Sequence, residues 1–288
     1  MNYGTIVEAK ITDKNDKKVY AQYQGTTFEI IPDPHDQEQD FELGQVLEGM
    51  IYEGKDGGKY MQLDLPDIRP GYYGWGIVTA SRKDLGVFVD VGLVEKDVVL
   101  SLDDLPEDRQ LWPRKEDKLY VTYEVDSKQR MWAKLADQEK IQGLMKKAPN
   151  RLMNQVIKAQ VYLHKGVGVL ALSEEGYRIF IHESQMFQMP RLGQALEVRI
   201  IKVAPDGTLN GSLKPRAHEA LDDDATMIKQ LLDKKPDGFL PFHDKSDPQV
   251  IQEKFGISKA QFKRALGVLM KAGYIRQEKD KGIYKIHA

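Results

Sequence analysis

Between Gly74 and Gly92 the chain writes two strand-like runs and the turn that joins them. Gly74-Trp75-Gly76-Ile77-Val78 and Leu85-Gly86-Val87-Phe88-Val89-Asp90-Val91-Gly92 are rich in β-branched and aromatic residues, and the polar Ser81-Arg82-Lys83-Asp84 lies between them. That pattern commits the segment to a β-hairpin. The constraint spreads because a neighbouring element recurs. Leu43-Gly44-Gln45-Val46-Leu47-Glu48 returns as Leu192-Gly193-Gln194-Ala195-Leu196-Glu197. A more worn copy lies between them: Trp112-Pro113-Arg114 followed by Leu119-Tyr120-Val121 matches Met189-Pro190-Arg191 followed by Leu196-Glu197-Val198. Each instance precedes a strand. A spacing of about 72 to 77 residues is too long for most solenoid repeats and suits tandem globular modules.

Composition narrows the function classes. The chain has 288 residues and no cysteine, so it has no disulfide, no thiolate metal site and no cysteine nucleophile. Met1-Asn2-Tyr3-Gly4-Thr5 offers neither a charged start nor the apolar run of a signal peptide. Apolar runs such as Val169 to Leu172 fall far short of the roughly 20 residues that cross a membrane. A cytoplasmic protein without a membrane partner is expected. Net charge is −2, but the charge is segregated. Residues 1–66 carry about −7, 67–146 about −2, 147–216 about +5 and 222–288 about +3. A polyanion should therefore prefer the C-terminal half, and the acidic first module reads as a spacer or a protein contact.

The element pattern divides the chain at 1–66, 67–146, 147–216 and 222–288. In the first module strands are expected near Gly4–Ile11, Val19–Tyr23, Phe28–Ile31, Val46–Glu53 and Tyr60–Asp64. Ala136 to Lys147 reads as a short helix with Ile141 and Leu144 on one side, and Asp222-Asp223-Asp224 suits the start of another. The last segment changes period. Met227, Leu231 and Leu232 have helical spacing, Pro248 to Phe255 reads as a short helix, and Ser258 is an N-cap. Lys259 to Ala272 is a longer helix with Phe262, Leu266, Leu269 and Met270 inward, and Gly273 ends it. Tyr274–Glu278 and Ile283–Ile286 then form a hairpin, which completes the order of a winged helix.

Signals of catalysis are weak. Gly49 to Lys55 mimics a phosphate loop, but Asp56 follows where Ser or Thr is needed. Gly166-Val167-Gly168 opens no helix. The six histidines are scattered, with none at helical metal-ligand spacing. No catalytic residue, cofactor or metal is assigned.

The hairpin at Gly74–Gly92 resembles the start of an S1 domain, a small five-stranded OB-type barrel. The expected fold is mainly β with α: three tandem S1-like barrels and a C-terminal winged helix. The resemblance implies single-stranded RNA as partner, held by stacking aromatics and basic groups. In the second module it carries over Phe88, Asp126 and Arg130, while Leu85 and Ser101 replace a phenylalanine and a histidine of the family pattern. Phe88 is also legible as a barrel-core side chain, the placement the sequence favours, and Arg130 as a solvated charge. In the third module His182 fits the histidine position. Val167, Leu170, Ala204 and Thr208 stand where two phenylalanines and the acidic and basic pair would be. Strand alternation places Arg178, Phe180 and His182 on one face and Ile179 and Ile181 on the other; packing of Phe180 against a neighbouring module is the competing reading. The winged helix offers Lys259, Lys263, Arg264 and Lys271 on its long helix, and Arg276, Lys279, Lys281 and Lys285 on its wing. Only Gln261 could read a base edge there.

This order of modules resembles the conserved virulence factor B family, the YitL-like proteins of Gram-positive bacteria. The Leu-Gly-Gln repeats, Asn210-Gly211-Ser212-Leu213-Lys214-Pro215-Arg216 and Gly256-Ile257-Ser258-Lys259 carry the likeness. It implies RNA binding and regulation of gene expression, including virulence-factor production. The alternatives are a transcription factor reading duplex DNA through residues 259–271 and a scaffold for protein partners.

Overall fold

The computed structural model describes residues 2–36, 40–214, 223–278 and 281–286. The chain forms two compact units, Met1–Leu213 and Lys214–Ala288. The first holds three closed five-stranded barrels. Barrel 1 contains β1 (Thr5–Lys14), β2 (Val19–Tyr23), β3 (Thr26–Ile31), β4 (Val46–Glu53) and β5 (Lys59–Gln62). Barrel 2 contains β6 (Gly74–Arg82), β7 (Gly86–Asp90), β8 (Asp97–Ser101), β9 (Lys118–Val125) and β10 (Met131–Leu135). Barrel 3 contains β11 (Val156–Lys165), β12 (Gly168–Ser173), β13 (Arg178–His182), β14 (Ala195–Val203) and β15 (Leu209–Ser212). In each, the third strand closes on the fifth in parallel and every other pairing is antiparallel. Alternation fills the barrels: Phe28 and Ile30, Val87 and Val89, and Ile179 and Ile181 point inward and are buried.

The sequence repeat has a mechanical meaning. The first strand of each barrel carries a bulge, at Ile11/Asp13, Val78/Ala80 and Val161/Leu163. The turn before the fourth strand docks on that bulge by a reciprocal pair of backbone bonds. Gly44 N donates to Ile11 O at 2.9 Å and Ile11 N to Gln45 O at 2.8 Å. Glu116 and Asp117 bond Val78 at 2.9 and 2.9 Å, and Gly193 and Gln194 bond Val161 at 2.9 and 3.0 Å. The docking residue is left-handed each time, with φ of 90° at Gly44, 77° at Glu116 and 77° at Gly193. The next side chain closes the turn on itself. Gln45 Oε1 accepts from Glu42 N at 3.0 Å, Asp117 Oδ2 from Arg114 N at 2.7 Å, and Gln194 Oε1 from Arg191 N at 2.9 Å. The worn middle copy therefore keeps the geometry with different residues.

Barrels 1 and 2 share one hydrophobic core. The buried Tyr123 of barrel 2 places its hydroxyl 3.0 Å from Met50 Sδ of barrel 1. Gln62 donates to Asp64 O and Gly92 O and accepts from Val94 N at 3.0 Å. Barrel 3 has its own core but plugs its repeat turn into barrel 2. Leu192 N donates to Leu111 O at 3.0 Å and Lys118 N to Gly193 O at 2.9 Å. Arg191 forks onto the buried Asp117, with Nε and Nη2 each at 3.0 Å from a carboxylate oxygen. Leu192 is 5% exposed, whereas its barrel 1 counterpart Leu43 is 64% exposed. Between the two barrels Gln138–Gln142 is α-helical (α1), capped by Asp137, and Asn150–Leu152 adds a 3-10 turn. The helix expected as far as Lys147 stops because barrel 3 captures the chain: Lys146 N donates to Gly176 O at 2.8 Å and Ala148 N to Gly207 O at 3.1 Å.

The second unit is a winged helix. α2 (Asp223–Asp233), β16 (Phe239–Leu240), α3 (Pro248–Phe255), α4 (Lys259–Lys271), β17 (Ile275–Glu278) and β18 (Gly282–Lys285) enclose a single core, with sheet order β16-β18-β17. Asp222 lies outside the described residues. On α4 the buried side chains are Phe262, Ala265, Leu266 and Leu269. Met270, expected inward, is 42% exposed. At 100° per residue it stands about 90° from the centre of the stripe that Ala265 completes. Asp233, at the end of α2, ties the wing down, with Lys229 Nζ at 2.7 Å and Lys285 Nζ at 2.5 Å.

Two outcomes test this account. Gly193→Ala and Gly44→Ala both force alanine into a left-handed conformation, but only the first places a Cβ 2.9 Å from Lys118 O and Leu119 Cδ2. Urea unfolding should show Gly193→Ala losing roughly 1–3 kcal/mol more than Gly44→Ala; equal losses would mean the turn is not pressed against barrel 2. Hydrogen bonds from Lys229 and Lys285 lower Asp233 to about 2. A depressed carboxyl contributes stability above its unfolded value, about 4, and loses it as pH falls through the folded value. The melting temperature of the winged helix should therefore fall with acid between pH of about 4 and about 2. In Asp233→Asn that limb should be missing, as thermal scans of the full chain would show.

Candidate nucleic-acid interface

β13 presents Arg178, Phe180 and His182 outward, with Ile179 and Ile181 buried beneath. Arg178 and His182 are exposed and Phe180 is half-buried, so the ring is not sealed under another module. Phe180 sits between Leu170 of β12 and Asn210 of β15. Its ring meets His182 edge-on, with centroids 6.2 Å apart. Nδ1 of His182 accepts from Ser184 N at 3.1 Å and caps the short turn Glu183–Gln185. In the neutral ring the proton is thereby placed on Nε2, which can donate to a ligand. Arg178 stands beside Tyr162; burial pushes that hydroxyl's pKa up and the guanidinium pulls it the other way. One strand thus supplies a flat ring, a donor and a permanent cation on a common surface. Val167 is exposed, Leu170 is buried, and Ala204 and Thr208 close the last turn by a 2.8 Å backbone bond.

Barrel 2 corrects the preferred placement of Phe88. The side chain is half-buried on the outer face, and Val87 and Val89 fill the core in its stead. The reason is strand parity: the two valines take the inward positions of β7. Phe88 pairs with Val99, and Val99 with Trp132, so a ring stands at each end of a short apolar row across β7, β8 and β10. Sequence reasoning missed Trp132, although the alternation Met131-Trp132-Ala133-Lys134 puts it outward beside the motif. Asp126 is a clamp on the β9–β10 turn. Its Oδ1 accepts from Arg130 N at 2.9 Å and Lys128 N at 2.8 Å, and its Oδ2 from Arg130 Nε at 2.7 Å and Trp132 Nε1 at 3.1 Å. Those bonds, the Arg130 backbone N–H first, hold its carboxyl well below the usual range. Arg130 is swung over Trp132, 5.2 Å from the ring centre. The adjoining cleft of about 340 Å³ is lined by Ser101, Asp103, Glu124 and Lys134 among others. Lys134 is paired with Asp104 at 3.0 Å. This face keeps its rings but is ringed by carboxylates.

In the winged helix, Lys263 and Arg264 are exposed on α4 and Lys259 is half-buried at its start. Among the described residues these three have no ion-pair partner. The wing is more neutralised. Arg276 pairs with Glu278 at 3.0 Å and lies over Tyr284, Lys281 meets the same glutamate at 3.1 Å, and Lys285 is held by Asp233. Lys279 lies outside the described residues. Gln261 is committed to the helix cap: its Oε1 accepts from Ser258 N at 3.1 Å and from Ser258 Oγ at 2.8 Å. That leaves α4 positively charged, without an amide oxygen free to read an adenine edge.

Donor groups that could share an ion meet in barrel 1, where Asp33, His35 and Asp64 bring ligand atoms within 4.8 Å of one another. The Asp33–His35 half is a local turn, since His35 N donates to Asp33 Oδ1 at 2.8 Å. Among the described residues no helix is long and apolar enough to cross a membrane.

Comparison with known proteins agrees with this architecture. Residues 73–134 match the model of the CvfB first S1-like domain, 141–215 that of the second domain of virulence regulatory factor CvfB, and 226–284 that of the CvfB-like winged helix domain. Conserved virulence factor B of Staphylococcus epidermidis is 41% identical over 246 residues, 85% of this chain and 82% of that protein. The Staphylococcus aureus protein of the same name is 39% identical over 245 residues, 85% of this chain and 81% of that one. A crystal structure of a multidomain protein with nucleic acid binding domains from Streptococcus pneumoniae superposes with a TM-score of 0.71 at 41% identity, covering 99% of both chains. The chain belongs to the conserved virulence factor B family.

Proposed function

We propose that the chain binds single-stranded RNA and regulates gene expression after transcription, virulence-factor production included, without catalysis of its own. The observation that carries this reading is the outward set Arg178, Phe180 and His182 on one strand of the most positive barrel. Bases stack on the ring and phosphates meet the guanidinium. Lys259, Lys263 and Arg264 of α4 add a second patch for the same polyanion. Phe88, Trp132 and Arg130 extend the stacking surface onto barrel 2, where neighbouring carboxylates limit the phosphate contribution. The names of the staphylococcal relatives and the nucleic acid binding domains of the streptococcal structure support the regulatory and polynucleotide parts of the proposal. Duplex recognition is less well served, since the side-chain oxygen of Gln261 is used by the cap.

The test is a titration of labelled oligouridine against the full chain and point variants. Cutting near residue 146 would expose Leu192 and Gly193, so point variants are the cleaner tool. Phe180→Ala should weaken binding by about 1–3 kcal/mol. If about four phosphates are neutralised, the log–log salt slope should be near −3, and Arg178→Ala should make it shallower. Unlabelled duplex DNA should compete poorly. Efficient competition by duplex would favour a transcription factor, and no binding at moderate salt would favour a protein scaffold.

A further inference from the structure

The repeat turn puts the three barrels in register, and the register exposes a substitution that folding does not require. Three residues after Gln45, Asp117 and Gln194 stand Glu48, Tyr120 and Glu197. Their cross-strand partners are Glu8, Trp75 and Lys158. All six point outward. The same site therefore holds two acids in barrel 1, two rings in barrel 2 and a lysine opposite a glutamate in barrel 3. A like-charge pair there is mildly unfavourable, yet barrel 1 closes with it. Barrel closure thus does not demand a large ring at Trp75, while Tyr120 also faces Ile141 and Leu192 beside the linker.

One of these rings, Trp75, sits at a cleft. Trp75 and Tyr120 have centroids 5.2 Å apart and a tilt of 54°, and Tyr73 stacks on Tyr120 at 6.1 Å. Trp75 is a wall of a cleft of about 760 Å³ between barrels 2 and 3. Leu144, Leu172 and Leu196 line it from the linker and from barrel 3. That volume lies within the roughly 300–1,000 Å³ of ligand sites. Lys118, Lys146 and Lys158 reach the rim from barrel 2, the linker and barrel 3, but Glu116, Glu174, Glu175 and Glu197 stand there too. A rim with more acids than bases does not draw in a row of phosphates. It suits a flat, uncharged ring with polar edges, whose N–H groups meet carboxylates and whose carbonyls meet ammonium groups.

We propose that this cleft is a second single-strand site, which takes an unpaired nucleobase against Trp75, with Tyr120 supporting that ring from the side, and leaves its phosphates outside. The proposal rests on the RNA-binding reading above. It differs from the β13 surface in its salt response, because the energy comes from stacking and not from counterion release.

The experiment uses the full chain. In the parent protein, an oligouridine carrying 5-iodouridine is photocrosslinked and the adducts are mapped by mass spectrometry; an adduct on Trp75 is expected. The variant Trp75→Gln removes the ring that walls the cleft, leaves the net charge unchanged and keeps Tyr120 in place beside the linker helix. It should melt like the parent and bind oligouridine roughly five- to hundredfold more weakly. That factor should be the same at low and high salt. Uridine monophosphate should displace the oligomer only weakly, since a lone base lacks the β13 contacts. The inference is overturned if Trp75→Gln binds as the parent does while Phe180→Ala loses affinity, or if the monophosphate saturates the cleft without competing with the oligomer. If the parent itself binds no single strand, the functional reading fails first and this one goes with it.

Discussion

The structure of the barrel unit depends on one small device, the left-handed turn that locks the fourth strand of each barrel onto the bulge of its first. Two backbone hydrogen bonds and one side-chain closure make it, and they recur at Gly44–Gln45, Glu116–Asp117 and Gly193–Gln194. A barrel has no free edge once this join is made. The turn also does the assembling. Barrel 3 inserts its copy into barrel 2, where Asp117 closes its own turn and receives Arg191 at the same time. A buried carboxylate with two sets of donors is satisfied; without Arg191 it is an uncompensated charge. Closure of barrel 2 and the docking of barrel 3 are thereby coupled through one side chain.

That economy separates folding from function along each strand. Inward positions are interchangeable apolar groups, and outward positions are free to vary, as the trio Glu8–Glu48, Trp75–Tyr120 and Lys158–Glu197 shows. Function in such a family is therefore to be sought in what a given barrel shows on its outer face. By that criterion barrel 3 displays Arg178, Phe180 and His182, barrel 2 displays two ring clusters, and barrel 1 displays mostly charge.

Three barrels and a winged helix were legible because they are written in short-range signals: period-two alternation, a repeated turn, the Ser258 cap and the Gly273 stop. Errors arose where a distant segment decided the outcome. Ile141 and Leu144 have helical spacing, but barrel 3 pulls the chain into bridging bonds at Lys146 and Ala148, and the helix ends early. Met270 fits the periodic pattern only at its margin, and Ala265 is small enough to take the inner place. Phe88 was misplaced because its size suggested a core, whereas parity along β7 decides its face. Trp132 and Trp75 are not legible as site residues in the sequence because the clusters they belong to are made across strands, by Arg130, Asp126 and Tyr120.

The electrostatics follow from the same separation. A net charge of −2 cannot hold a polyanion by its overall field, so attraction has to come from local sets of cations without nearby acids. Many of the basic groups fail that condition: Arg82, Lys134, Arg191 and Lys285 each face a carboxylate, and Arg130 is tethered by Asp126. Lys263 and Arg264 meet it, while Arg178 stands at the solvent end of β13 beside a tyrosine, with the Asp206 carboxylate within reach of its charge. On the proposed reading, few phosphates are then neutralised and a large share of the affinity falls to rings. Ring stacking is nearly indifferent to salt and needs the base to be unpaired. A chain that binds this way would discriminate against duplexes by geometry and would stay off bulk nucleic acid for want of charge, which is a selectivity that a strongly basic protein of the same fold could not have.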